Sequence, residues 1–285
     1  MESNLTHPRL LAVVTLYHPT VQSLAQNIQS YLSSVDGLLV CDNSPLEEQV
    51  QEHLLALLPS SEKIVWHGDG TNRCIAPAIN RAWRMMQAEG YNLLLIMDQD
   101  SRWTDFQAYR TAAEQAFAER SEAGAVAPYV PGTDTWAATA DFQPVRFIIN
   151  SGTILSLNAL NAIGGADEAF PLDGLDMDLS IRLQKAGLQL LCLTRHQLNH
   201  SLGQPRRSKW LPLGTRDYGT ARTYSITRSH VLYLRRHFGW LTWAERWKVV
   251  KEAVIYKPIT ILLMEEEKLA RMRSYLKGLI HGITD

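Results

Sequence analysis

The sequence predicts an α/β protein built on a mostly parallel sheet, and two observations carry the prediction. Continuous apolar runs of strand length alternate with stretches of helical period through the first hundred residues. The runs also end in polar, turn-forming tails, "TLYHP", "CDNSP", "HGDGTN" and "MDQDS". In a parallel sheet covered on both faces, ligands collect beyond the carboxyl ends of the strands, so these tails meet at one functional edge.

The elements follow in order. "LLAVVTL" (10–16) is the first strand. A helix follows with Val21, Leu24, Ala25, Ile28, Tyr31 and Leu32 on one face, closing on Gly37. "LLVCDN" (38–43) is the second strand, "EEQVQEHLLALLP" the next helix and "KIVWHG" (63–68) the third strand. "IAPAINRAWRMMQAEG" is helical and leads into the strand "LLLIMDQD". Past residue 140 the alternation loosens. "VRFIINSGTILSL" reads as one or two strands, "NALNAIGG" as a short helix, and "DMDLSIRLQKAG" as a helix closed by Gly187. "LQLLCL" is a further strand running into the loop "TRHQLNHSLGQP". From about residue 220 the pattern is helical: 221–238, then "TWAERWKVVKEAVIYK" stopping near Pro258, then "EEEKLARMRSYLKGLIHGI".

Composition bounds the class. The chain has 285 residues, enough for one sizeable core, and its 46% hydrophobic and 20% charged content is that of a globular protein. No apolar run approaches the ~20 residues that span a bilayer, and nothing at the start resembles a signal peptide. The 3 cysteines, Cys41, Cys74 and Cys192, form no CxxC pair, which points to a reducing, cytoplasmic setting. The net charge of −1 conceals an asymmetry. Residues 1–204 hold 12 Lys and Arg against 22 Asp and Glu, net −10; residues 205–285 hold 16 against 7, net +9. Opposite signs suggest different partners for the two parts, or two faces that dock on each other. The expected division is a domain over 1–205 and a basic, aromatic helical extension over 206–285. No nucleic-acid partner is expected.

Asp98 and Asp100 close the strand "LLLIMDQD", and alternation puts both on one side. Two hard carboxylates so placed suit Mg2+ or Mn2+, although a lone D-x-D also occurs as solvated acids at a strand end. Asp42 and Asn43 in "CDNSP" are placed to read a ribose or base edge, or serve only the turn. Asp173, Asp176 and Asp178 crowd the start of one helix, where capping accounts for some acid but not for three. Asp178 and Arg182 have the i,i+4 spacing of a structural ion pair. His196 and His200 are either surface residues or ligands.

As a set, "VVTLYHP", "CDNSP", "MDQDS", "NSGTILS", "GGADEAFPLDGLDMDLSIRLQKAG", "HQLNHSLG" and "YSITRSHVLYLRRHFG" resemble glycosyltransferase family 2, particularly its bacterial rhamnosyltransferase-like branch. The resemblance covers roughly residues 8 to 240. It implies a nucleotide-diphosphate-binding α/β sandwich of GT-A type with a C-terminal helical extension. The implied reaction is inverting transfer of a sugar, rhamnose in the branch, from a dTDP- or UDP-linked donor to a hydroxyl of a cell-surface glycan or its lipid-linked precursor. Mg2+ or Mn2+ would be held by Asp98, Asp100 and His200. Thr15, Tyr17, Asp42 and Asn43 would bind the donor, together with Asn72, Asn80, Asp98 and Gln99. Ser151, Gly152 and Asp173 would face the donor or acceptor sugar, and Asp176 would be the general base.

Three departures stand out. Cys74 occupies the glycine position of the branch's Asn-x-Gly-Ile-Ala, which narrows the expected pocket. Leu175 replaces the usual first acid before Asp176. "PLDGLDMDL" lacks the branch's aromatic residues. The rival readings are a nucleotidyltransferase, for which "TLYHPT" lacks a glycine- and lysine-rich phosphate loop, and a non-catalytic glycan-binding scaffold.

The C-terminal part mixes Lys and Arg with Trp210, Trp240, Trp243 and Trp247, a composition suited to a peripheral, anionic membrane surface. Arg206, Arg207 and Lys209 belong to its basic start. The alternative packs the tryptophans against the acidic sandwich or the second subunit of a homodimer.

Overall fold

The strand β1 (Leu10–Leu16) is buried along its length except at half-buried Thr15, as befits a strand paired on both sides and covered on both faces. The computed structural model describes residues 7–59, 62–131, 141–200, 206–207, 214–215 and 218–285, with side chains for all but 206–207 and 214–215. The chain forms two compact units: Met1–Pro171 with Arg182–Ser201, and Leu172–Ile181 with Leu202–Asp285.

In the first unit α1 (Val21–Leu32) buries Leu24, Ala25, Ile28, Tyr31 and Leu32, the face expected from periodicity. β2 (Gly37–Asp42) follows, then a 3-10 turn (Leu46–Glu48), α2 (Val50–Leu55), β3 (Ile64–Gly68) and α3 (Ala76–Glu89). β4 (Leu93–Asp98) is buried until its last residue and lies parallel to β1, with Asp98 opposite Thr15. A side chain at Gly37 would run into the Tyr91 hydroxyl, so that position serves close packing rather than a helix stop.

Beyond β4 come β5 (Ser101–Trp103), α4 (Phe106–Glu119), β6 (Ala123–Tyr129), β7 (Gln143–Pro144), β8 (Ile154–Ser156), α5 (Leu157–Ile163) and, after α6, β9 (Gln189–His200). Asp105 caps α4, its side chain accepting from the Ala108 amide at 2.9 Å. The strands run β3-β2-β1-β4-β8-β6-β9-β5, with β7 on β9. β8 is antiparallel to both β4 and β6, whereas β6 and β9 are parallel. Of "VRFIINSGTILSL" only Ile154–Ser156 is strand, and β9 continues through the residues read as a loop as far as His200.

α6 (Leu175–Lys185) divides between the units, Leu175–Ile181 going with the second. The rest of the second unit is β10 (Arg206–Arg207) paired with β11 (Gly214–Thr215), then α7 (Thr220–His237), α8 (Trp243–Val250), a π-helical turn (Lys251–Tyr256), α9 (Lys257–Met264) and α10 (Lys268–Thr284). Thr242 and Glu245 form a capping box at the start of α8. α7 and α10 approach closely at two glycines four residues apart. A Cβ at Gly278 would lie 2.7 Å from the Tyr224 carbonyl, and one at Gly282 would lie 2.6 Å from Val231 Cβ. Buried Glu265 bonds Lys257 Nζ at 2.8 Å and Arg271 Nη1 at 3.1 Å, joining the end of α9 to α10.

The expected stop at Pro258 does not occur. Helical backbone runs from Trp243 to Met264, with the π turn just ahead of the proline. A proline ring in an α-helix collides with the carbonyl four residues back; wider turns there relieve that collision. Among the described residues no helix is long and apolar enough to cross a membrane.

Candidate metal centre

Three groups from two chain segments meet at the carboxyl end of β4. Asp98 ends that strand and Asp100 follows in the turn to β5. His200 arrives because β5 pairs antiparallel with β9, placing Ser101 opposite His200 across 99 residues of sequence. His200 Nδ1 lies 3.5 Å from Asp100 Oδ1 and 4.0 Å from Asp98 Oδ2. One ligand atom from each of the three lies within 4.8 Å of the others, close enough to share one cation. Two carboxylate oxygens and an imidazole suit a hard divalent ion of the Mg2+ or Mn2+ kind.

A serine relay supports this cluster. Ser101 Oγ lies 2.7 Å from His200 Nδ1 and 2.7 Å from Ser151 Oγ, and Ser151 accepts the Asp98 amide at 3.3 Å. The relay holds the imidazole with Nδ1 beside the acids. An ion would take the nitrogen lone pair and leave the Ser101 hydroxyl to Ser151. Ser151 is therefore placed behind the metal ligands. Gly152, at φ 78°, is wedged where a Cβ would lie 2.7 Å from Pro128, so its lack of a side chain serves packing.

A cleft of about 170 Å³ opens beyond β2 and β3. Asp42, Asn43, His67, Cys74, Arg81 and Glu168 are among its walls. Asp42 Oδ1 accepts the Ser44 amide at 2.9 Å, which sets the turn. Partial burial and the nearby Arg81 hold the His67 pKa below the ordinary histidine value, so the imidazole stays neutral at pH 7. Burial pushes the Cys41 thiol up to about 11.

Cys74 has φ 62°, the left-handed region that glycine tolerates best. Its amide donates to Asn72 Oδ1 at 2.9 Å, and its carbonyl accepts from Asn43 Nδ2 at 3.1 Å. Asn43 also accepts the Arg73 amide at 3.2 Å, so its side chain shapes the cleft wall. Asn80 behaves likewise, with Nδ2 donating to the Ala166 carbonyl and Glu168 and Oδ1 accepting the Ala166 amide. Gln99 clamps the Tyr17 backbone by both its amide ends, leaving the Tyr17 ring exposed.

The other predicted acids belong to the second unit. Asp173 Oδ1 takes Arg222 Nη2 at 3.3 Å, while its Oδ2 is buried without a hydrogen-bond partner. Burial lifts the Asp173 carboxyl above the usual range, against the pull of Arg222. Burial also raises the half-buried Asp176, opposed by the Met177 amide and reinforced by Asp173. Asp178 is buried against His237, and Arg182 donates hydrogen bonds to the Ile163 and Gly165 carbonyls. The side chains of Arg206 and Arg207, and residues Lys209 and Trp210, lie outside the described residues.

Sequence reading missed Ser101, Glu168 and the arginines of the cleft. Arg81 and Arg84 stand three apart on α3, and that spacing was a usable signal. Nothing local marked Ser101.

No family model matches the chain. Over 191 residues it is 25% identical to uncharacterized proteins of Mycobacterium bovis and Mycobacterium tuberculosis, covering 60% of this chain and 70% of each relative. It is similar in structure to a mannosyltransferase of Pyrobaculum calidifontis in complex with GDP-Man and Mn2+, with a TM-score of 0.58 and 13% identity over 98% of this chain and 76% of that one. GalNAc-T7 with UDP, GalNAc and Mn2+ matches at a TM-score of 0.61 and 11% identity, over 99% and 57%. A TarS fragment of S. aureus matches at 0.57 and 13%, over 96% and 81%. The chain has the GT-A fold. At these identities the likeness shows the fold alone, and Asp98, Asp100 and His200 supply the chemistry by which to read it.

Proposed function

We propose that this protein is an inverting glycosyltransferase that moves a sugar from a dTDP- or UDP-linked donor to a hydroxyl of a cell-surface glycan or its lipid-linked precursor. The observation that carries the reading is the Asp98–Asp100–His200 cluster at the carboxyl edge of the central strand of a GT-A sheet. The matched structures of the mannosyltransferase and GalNAc-T7 hold Mn2+ with GDP-Man and with UDP and GalNAc, which supports the same use here. A divalent ion at such a site neutralises the negative charge of a departing diphosphate.

This chain's own residues divide the remaining work. Asp98, Asp100 and His200 would hold the ion, with Ser101 giving up its bond to the imidazole Nδ1. The cleft beyond β2 and β3 takes the nucleoside, Asp42 at its edge reading ribose or base. Asp176 accepts the proton of the incoming hydroxyl. A carboxylate held above its usual pKa is a better proton acceptor once ionised. The catalytic domain would span residues 1–205, with the helices after it as an extension. Rhamnose is the sugar favoured by the sequence resemblance.

A panel of nucleotide-sugars screened by thermal shift, with and without Mn2+, tests the reading. A dTDP- or UDP-sugar should raise the melting temperature only when Mn2+ is present, because a ligand selective for the folded state stabilises it by mass action. Formation of a nucleotide-sugar from a nucleoside triphosphate and a sugar phosphate would replace this reading with a nucleotidyltransferase. Binding without transfer or donor hydrolysis would leave a scaffold.

A further inference from the structure

The turn that carries Asp100 is held by α1, a helix from a distant part of the sequence. Asn27 Nδ2 donates to the Gln99 carbonyl at 2.9 Å. Further along α1, Ser30 Oγ accepts the Trp103 amide at 3.1 Å. Residues 99 and 103 flank Asp100 and Ser101, so one helix grips the segment on both sides of the metal acid. Gln99 adds a second tie, its Oε1 accepting the Tyr17 amide at 2.8 Å and its Nε2 donating to the Tyr17 carbonyl at 3.1 Å.

Helix formation does not call for Asn27 or Ser30. Short polar side chains compete for backbone hydrogen bonds and are poor residues for a helix interior. Leu24, Ile28 and Tyr31 already supply the buried face of α1 around them. Ser30 Oγ also donates back to the Asn27 carbonyl at 2.6 Å, a local bond that does not strengthen a helix. What the pair gains lies outside α1, in the backbone of residues 99–103.

The two acids are anchored differently. Asp98 ends β4, opposite Thr15 in the sheet, and its amide is held by Ser151. Asp100 is exposed and lies between β4 and β5, in neither strand. A peptide unit is planar and turns as one piece, so rotating the one between Gln99 and Asp100 would swing the Asp100 side chain away from His200. There is room for that movement. A polar cavity of about 290 Å³ borders the turn, with His18, Ser23, Asn27, Gln99 and Asp100 among its walls. Packing leaves the turn free to move, and the hydrogen bonds hold it.

We propose that Asn27 is a positioning residue of the metal centre, keeping Asp100 where it can share a cation with Asp98 and His200. Gln99 assists by tying the same turn to Tyr17. The proposal rests on the metal role of that cluster and gives α1 a part in it, although α1 supplies no ligand. Its size follows from populations: a site competent for about one-tenth of the time binds about tenfold more weakly.

Mn2+ binding to the full chain, read by paramagnetic resonance of the free ion well below the melting transition, tests it. Asn27→Ala should weaken binding about tenfold, and Asn27→Gln, which keeps an amide donor, should weaken it less. In an Asp100→Ala background, where the turn no longer offers a ligand, Asn27→Ala should cost little further affinity. That non-additivity separates placement of Asp100 from general loosening of the fold, which would weaken both backgrounds alike. Equal affinity in the parent and Asn27→Ala overturns the proposal while leaving the metal role intact. A loss in the Asp100→Ala background as large as that in the parent overturns it too. A parent that binds no Mn2+ overturns the metal role itself, and the proposal with it.

Discussion

His237 Nε2 lies 2.8 Å from Asp178 Oδ1, with both side chains buried. The bond ties the last turn of α7 to the first turns of α6, two residues beyond Asp176. His237→Leu removes one partner of a buried carboxylate, and losses of that kind cost about 1–3 kcal/mol. Denaturant unfolding should show a loss in that range, and His237→Gln, which keeps a donor, should lose less. The leucine variant should also turn over more slowly than its remaining folded fraction explains, because the helix start that bears Asp176 is no longer held.

The metal cluster predicts a binding defect separable from activity. Asp100 is exposed, so Asp100→Asn should leave the melting temperature unchanged. Its Mn2+ affinity, read by paramagnetic resonance of the free ion, should fall by at least about tenfold. His200→Gln should behave alike. Ser101→Ala frees the Nδ1 lone pair that the hydroxyl otherwise occupies, so its Mn2+ affinity should hold or rise. Undiminished Mn2+ binding by Asp100→Asn would remove the metal role.

Asp176→Asn is expected to move activity and stability in opposite directions. Loss of a general base costs ~10²–10⁴-fold in turnover. The folded pKa of this carboxyl is raised, so its stabilising contribution is present below the unfolded Asp value and is lost as pH rises through the folded value. At neutral pH the neutral amide should therefore unfold at a temperature equal to or above the parent's. In the parent, turnover should climb with pH across a limb lying above the ordinary carboxylate range. A normal rate in Asp176→Asn, with an inactive Asp173→Asn, would transfer the role to Asp173.

Cys74 sits where a left-handed backbone meets the cleft wall. A non-glycine residue in that region carries a penalty of roughly 1–2 kcal/mol. Cys74→Gly relieves it and empties side-chain volume from the cleft, so the melting temperature should hold or rise. The same variant should accept nucleotide-sugars that the parent excludes in a competition assay. An unchanged donor range would mean that the side chain does not gate the cleft.

The sheet was legible from the sequence because its strands are buried on both faces and their tails are polar, as in β1, β2 and β4. Asp98 and Asp100 were legible for the same reason: charge directly after a buried run is conspicuous. Pairings that depend on distant partners were not legible. β5 has three residues and exists because β9 runs on to His200, and no local pattern announces either. Asn43 and Asn80 illustrate the complementary difficulty. A buried amide at a strand or helix end looks the same in sequence whether it addresses a ligand or, as here, neighbouring backbone.

The π turn before Pro258 sets the rotational phase of everything after it. Counted as unbroken α-helix, Trp243, Trp247 and Val254 would share a sector of about 40°, while Ile259 and Leu263 would point to the far side. A wider turn accommodates roughly one extra residue, which rotates the following segment back by about 100° and brings Ile259, Leu262 and Leu263 round toward the tryptophans. The proline enforces this setback, since an ordinary α turn would clash with its ring. Removing one residue from 251–256 would leave composition and length almost untouched. It would nonetheless uncouple the two halves of the rod, like a screw whose thread has been cut and rejoined out of step.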